Sequence, residues 1–140
     1  TVMAGYSYLD AKYNEITDPN ATITADFDFS NTPENSFNLV VDYLIDLNSG
    51  AEVNLHADYS WKDDHFNDAE NTPLLAQEAF GLLGLSATYT ADDHWTFVAG
   101  VSNATDEYYL YSGFSQPGVG FVEGSYNRGR EWYFTSKYNF

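Results

Sequence analysis

The sequence predicts an all-β chain of antiparallel, up-and-down strands, and three observations predict it. Apolar and polar residues alternate with a period of two in about six separate runs. Aromatics make up 18% of the 140 residues, with 12 Tyr, 10 Phe and 3 Trp, side chains that suit pleated, half-buried surfaces. The connections between runs are alternately short and long.

The first run, 2–9, puts Val2, Ala4, Tyr6 and Tyr8 on one face. The second, 37–47, aligns Phe37, Leu39, Val41, Tyr43, Ile45 and Leu47, with Asn38, Asp42 and Asp46 opposite. The third is the strictest: Ala51, Val53, Leu55, Ala57, Tyr59 and Trp61 alternate with Glu52, Asn54, His56, Asp58, Ser60 and Lys62. Successive strand side chains leave opposite faces, so this pattern fits a strand and no helix. The fourth run sets Leu83, Leu85, Ala87 and Tyr89 against Gly84, Ser86 and Thr88; the fifth sets Trp95, Phe97, Ala99 and Val101 against Thr96, Gly100 and Ser102. The sixth, 131–140, aligns Trp132, Phe134, Ser136, Tyr138 and Phe140.

Asn48-Ser49-Gly50 and Ala91-Asp92-Asp93-His94 are the short connections; 10–36, 63–80 and 104–130 are the long ones, rich in Asn, Asp, Gly, Ser and Pro. Runs of about 9–11 residues, short turns at one end and long loops at the other are the habit of transmembrane β-barrels. The apolar face suits either lipid or the core of a sandwich, since both need one greasy side. Its rings favour lipid: Tyr6, Tyr8, Tyr59, Trp61 and Trp132 fall towards the loop ends, Tyr89, Trp95, Tyr138 and Phe140 towards the turn ends, with aliphatics between. No charged residue interrupts that face. Six strands are too few to close a barrel, and an open edge is untenable in lipid, so further strands are expected upstream.

With 21 acidic residues against 5 basic, the net charge of −16 repels nucleic acid. There is no Cys, hence no disulfide or thiolate site. No apolar stretch is long enough for a spanning helix, and no signal peptide is visible at the start.

Several segments resemble the C-terminal barrel strands of TonB-dependent receptors. Gly5-Tyr6-Ser7-Tyr8-Leu9-Asp10-Ala11 looks like an up-strand entering a long loop, and 31–39 like the "P-x-H/N-S-hydrophobic" entry to the next. Residues 55–61 match its partner strand, and 103–109 resemble an "N-L-T-D-x-x-Y" segment, with Ala104 in place of the usual Leu. Residues 118–131 look like the Gly-rich approach to the last strand, with Gly129 where Pro is common. The resemblance implies an outer-membrane receptor for TonB-dependent uptake of a scarce nutrient, such as a ferric siderophore. It also implies partners: outer-membrane lipid, the TonB complex acting through a plug domain upstream, a small-molecule nutrient, and the barrel-assembly machinery reading Tyr138 and Phe140. Neither enzyme nor resident cofactor is expected. The alternative is a soluble β-sandwich module binding a ligand such as carbohydrate.

His56, Asp58 and Ser60 would project in one row from a single strand, a poor hydrolytic set and a better polar ladder. Asp63, Asp64, His65, Asn67, Asp68 and Glu70, and the group Asp18, Asn20, Thr22, Asp26 and Asp28, hold oxygen ligands for a hard cation but read first as solvated loops. The sequons at Asn20 and Asn103 are too short to carry weight. Gly118, Gly120 and Gly124 read as flexible loop positions. Tyr108, Tyr109, Tyr111, Phe114, Phe121 and Tyr126 crowd one long loop, where rings either stack on a ligand or pack against neighbouring loops.

Overall fold

A computed structural model describes residues 1–47, 50–91 and 94–140. Its strands are β1 (Val2–Tyr8), β2 (Asn35–Asp46), β3 (Glu52–Lys62), β4 (His65–Phe66), β5 (Ala76–Gln77), β6 (Phe80–Thr90), β7 (Trp95–Ser102), β8 (Leu110–Gln116), β9 (Phe121–Tyr126) and β10 (Glu131–Tyr138). Two 3-10 turns, Pro73–Leu75 and Pro117–Val119, are the only helical pieces among the described residues. Each of the six predicted runs is a strand, with ends shifted by up to three residues. Phe80, Gly81 and Leu82 extend β6, whereas Ala51, Asn139 and Phe140 fall outside their strands. Asn48, Ser49, Asp92 and Asp93, the tips of the short connections, lie outside the described residues.

The six long strands form one sheet in the order β1-β2-β3-β6-β7-β10. Every neighbouring pair is antiparallel and joined directly along the chain, an up-and-down wall. The register puts all the predicted apolar residues on one face. One hydrogen-bonded row runs Val2, Val41, Ala57, Leu85, Val101, Trp132, and the next runs Tyr43, Leu55, Ala87, Ala99, Phe134. Nothing covers that face among the described residues. Leu55 is 43% exposed, Leu85 41% and Phe134 69%, so the three do not meet across a dry interior, and no second sandwich layer packs on the wall among the described residues. The opposite face is less uniformly polar than its charged members suggest: Val40, Leu44, Leu82 and Val98 share it with Asp42, His56 and Asp58.

The third long connection departs from expectation. It is a β-hairpin, β8 against β9, with Tyr111 as the extra residue of a bulge. Gly124 is therefore a strand residue and not a flexible loop position. It faces Gly113, and a Cβ on Gly113 would lie 2.6 Å from Leu75 Cδ2, while one on Gly124 would lie 2.8 Å from Leu110 Cδ1. Both glycines are needed because Leu75, from the second connection, and the hairpin's own Leu110 fill their space. Gly120 does serve the turn, with φ 66° closing the 3-10 segment.

The dry part of the molecule sits among the loops. Among the described residues, Leu75, Phe80 and Leu110 are three of the five buried apolar ones, and Leu75, at 1% exposed, is the largest side chain fully withdrawn from water.

Candidate functional site

The wall and the loops offer two different surfaces. On the apolar face, the ring nearest the long loops is Tyr8; one row below it Tyr6, Phe37 and Trp61 align in the register, with Trp132 two rows further down on β10. At the turn end, Tyr43 on β2 is likewise two rows above the paired Trp95 and Tyr138 on β7 and β10. Both bands of rings slide the same way across the sheet. A belt level with a bilayer crosses tilted strands at this kind of slant, since barrel strands lean by about 35–45°. Phe97 and Phe134, 6.5 Å apart, sit inside the band where aliphatics were expected. On the other face, the Tyr133 ring lies over Gly100, where a Cβ would come within 2.4 Å of it. The ring covers backbone that glycine leaves bare.

The loops, 9–34, 63–79 and 103–130, are locked together. Asn31 N–H donates to the Phe66 carbonyl (2.8 Å), Asn71 and Asp28 exchange two hydrogen bonds (2.7 and 3.0 Å), and Thr22 Oγ1 donates to Glu70 Oε1 (3.0 Å). From the other side, Leu110 N–H donates to Gln77 Oε1 (2.6 Å). Ser115 Oγ lies 2.7 Å from Asp68 Oδ2 and 2.9 Å from Glu70 Oε2. One hydroxyl carries one hydrogen, so Ser115 serves the two carboxylates by turns. Burial alone would push the Asp68 carboxyl up, but hydrogen bonds from Thr72 and Ser115 outweigh it and hold the group below the ordinary carboxylate range.

The segment 103–109 owes its residue types to its backbone. Asn103 and Asp106 both adopt positive φ (49° and 59°), which short polar side chains tolerate best. Asn103 then exchanges hydrogen bonds with Glu107 (both 2.8 Å), while Asp106 Oδ1 accepts from Arg130 N–H (2.7 Å). Gly129 lets that carboxylate approach, since a Cβ there would lie 2.8 Å from it.

The six loop aromatics do not form a single platform. Tyr108 stacks on Tyr126 (4.5 Å), Phe114 meets Phe121 at a tilt (6.4 Å), and Tyr109 stacks on Phe80 (4.2 Å). Tyr111, in the bulge, is 71% exposed. Tyr109 and Tyr111 line a 260 Å³ recess where the loops meet the polar face of the wall, together with Asn31, Ser60, Lys62, His65 and Phe80. A second recess of 390 Å³ shares Ser60, Leu82 and Tyr109 with it and continues past Asp58 and His56 to Tyr133. Phe80 and Lys62 escaped sequence reasoning as site residues, although Phe80 lies at the end of a connection and Lys62 is the lone cation of its strand.

His56 donates or accepts at Asp42 (Nδ1–Oδ1, 2.8 Å) and sits 3.5 Å from Asp58; Ser60 makes no hydrogen bond to it, and the row is a polar ladder. The acidic residues of 63–70 do not gather as a set: Asp63 Oδ2 accepts from Asn35 Nδ2 (2.8 Å), while Asp68 and Glu70 meet only at the Ser115 hydroxyl. In the first loop, Asp18 accepts from Asn20 N–H (2.9 Å) and Asp26 from the Thr24 hydroxyl. Tyr138 packs on Trp95 (4.8 Å) and edge-on against Phe140 (5.1 Å), which is itself fully exposed.

Solved receptors share this arrangement. The ferric yersiniabactin uptake receptor of Yersinia pestis superposes over 79% of this chain and 17% of its own, with a TM-score of 0.69 and 22% identity. The ferric preacinetobactin receptor of Acinetobacter baumannii does so over 99% of this chain and 20% of its own, with a TM-score of 0.75 and 20% identity. The chain thus spans a fifth or less of their length, and at this identity the likeness is one of fold. No curated protein matches the chain. The family model for the TonB dependent receptor-like β-barrel matches residues 1–104. With the ring-banded meander already in place, that match over most of the chain establishes that it belongs to the TonB-dependent receptor β-barrel family.

Proposed function

We propose that residues 1–140 are the C-terminal part of the barrel of an outer-membrane receptor, with the plug and the remaining strands encoded upstream. On this reading the receptor takes up a scarce nutrient, such as a ferric siderophore, using energy delivered by TonB. The apolar face meets outer-membrane lipid, the polar face lines the lumen, and the loops guard its mouth. Tyr138 and Phe140 serve the barrel-assembly machinery, and Tyr109 and Tyr111 are the loop rings best placed to touch the nutrient.

The observation that carries the reading is the uncovered apolar face with its two slanting belts of rings. Water leaves such a surface without a partner, because a patch this large on a lone soluble domain invites aggregation. Lipid satisfies it. The test is expression of the full-length gene in a host unable to make siderophores, with and without TonB. The reading expects the protein in the outer-membrane fraction and iron-limited growth on a supplied ferric siderophore only when TonB is present. Growth that ignores TonB, or protein recovered in the soluble fraction, overturns it.

A further inference from the structure

The hairpin of the third connection is covered along one strand and bare along the other. β8 leans on the second connection: Leu110 N–H donates to Gln77 Oε1 (2.6 Å), and Ser115 Oγ lies 2.7 Å from Asp68 Oδ2. Leu110 and Ser115 are buried accordingly. All six residues of β9 are exposed, and β9 pairs with no strand other than β8 among the described residues. Its outer edge therefore presents a row of backbone N–H and C=O groups to whatever lies alongside.

Proteins that leave such an edge in water guard it with lysine, proline or a bulge. β9 carries no Lys, Arg or Pro, and the bulge of this hairpin sits on β8, the covered strand, at Tyr111. In a chain with 21 acidic residues, 110–126 holds a single one, Glu123. An incoming strand meets little repulsion there. Phe121, Val122 and Tyr126 add exposed apolar surface along the same strand.

Position selects the occupant. The second connection rises between β3 and β6 and the third between β7 and β10, so β8, which touches the second, faces back across the sheet and β9 faces onward. Beyond β10 the wall itself is open, for β10 pairs with β7 alone among the described residues. The link between β9 and β10 is no free tether: Asn127 N–H donates to the Tyr109 carbonyl (3.0 Å) and Arg130 N–H to Asp106 Oδ1 (2.7 Å). The two bare edges thus follow one another along one side of the molecule. We infer that β9 is the acceptor edge for the barrel's first extracellular connection, an extended segment of the same chain that leaves the strand pairing with β10 and adds a third strand to the β8–β9 sheet. The inference rests on the receptor reading, which puts that strand upstream. Main-chain hydrogen bonds hold the added segment, so the barrel is joined twice at its seam, in the bilayer at β10 and above it at β9.

Hydrogen exchange on the purified full-length receptor in detergent tests this. The amides of 121–126 that point away from β8 should be protected. Shortening the first extracellular connection to a glycine-serine turn should speed their exchange at least about tenfold and leave β10 as it was. Paired cysteines read the geometry in an otherwise cysteine-free receptor. With Ser125→Cys, cysteines placed one at a time along that connection should form a disulfide within one chain, over a short stretch and at alternate positions. Fast exchange along the outer edge of β9 with β10 protected, or cross-linking only between two copies, overturns the inference and leaves the barrel reading standing. Fast exchange in β10 as well overturns the barrel reading, and this inference with it.

Discussion

The wall and the loop cap are both β structure, yet they are stabilised in opposite ways. In the wall, each strand pairs only with its chain neighbours, and its large side chains face outward, still 40–75% exposed at Leu55, Leu85, Tyr43 and Trp132. Its stability has to come from the backbone ladder and from whatever covers the apolar face. In the cap, the second and third connections share a small interior around Leu75, the first is tied to the second by hydrogen bonds, and polar side chains do much of the joining. The wall has strength by repetition; the cap depends on a few irreplaceable residues.

The largest expected effect follows from that dependence. Leu75→Ala should destabilise the cap by about 2–5 kcal/mol, because the cavity lies between elements that cannot close over it. Hydrogen exchange should then accelerate in 63–79 and 110–126 and leave β2, β3 and β6 as they were; a uniform change across both regions would erase the distinction drawn here. On the wall, Leu85→Arg places a charge in the middle of the apolar band and should cost about 2–4 kcal/mol of folding stability in a bilayer, read by denaturant titration in vesicles. Were the apolar face to meet water, that substitution would be close to neutral.

A finer comparison uses acid. Asp68 has its folded-state value depressed, so its contribution is in full at neutral pH, begins to fade as pH falls into the ordinary carboxylate range, where the unfolded chain takes up the proton, and is gone once pH has passed through the lowered value. Hydrogen-exchange footprints should show the cap opening as pH falls from the ordinary carboxylate range through that lowered value. Asp68→Asn should remove that acid step and cost about 1.5–3 kcal/mol at pH 7, since Thr72 and Ser115 lose a charged acceptor. The smallest effect is expected at Asn103→Ala, about 1 kcal/mol, from a lost positive-φ preference and two hydrogen bonds to Glu107.

The same contrast explains what the sequence disclosed. The wall was legible because alternation is a local signal: Val53, Leu55, Ala57 and Tyr59 announce their face without reference to any other strand. The hairpin at 110–126 was not, because the bulge at Tyr111 breaks the period and Gly113 and Gly124 carry meaning only once Leu75 and Leu110 are placed against them. Of the six loop rings read as ligand contacts, Tyr109 and Tyr111 line the recess, while Tyr108 with Tyr126 and Phe114 with Phe121 pair among themselves. Ring-on-ring packing and ligand stacking call for the same residues, so composition could not separate them. Phe80 and Lys62 meet only through cross-strand register, which a single strand does not encode.

On the receptor role proposed above, interlocking of the three connections bears on how the ligand range would change. A strand hairpin of the wall could be exchanged with that of a relative at little risk, for it answers only to its two flanks. Grafting the third connection alone would strip Leu75 of its glycine bed and leave Asp68 and Glu70 facing a stranger. Altered specificity is therefore expected to arrive by transplanting all three connections as one cassette, or by point changes at the rim that leave the knot untied.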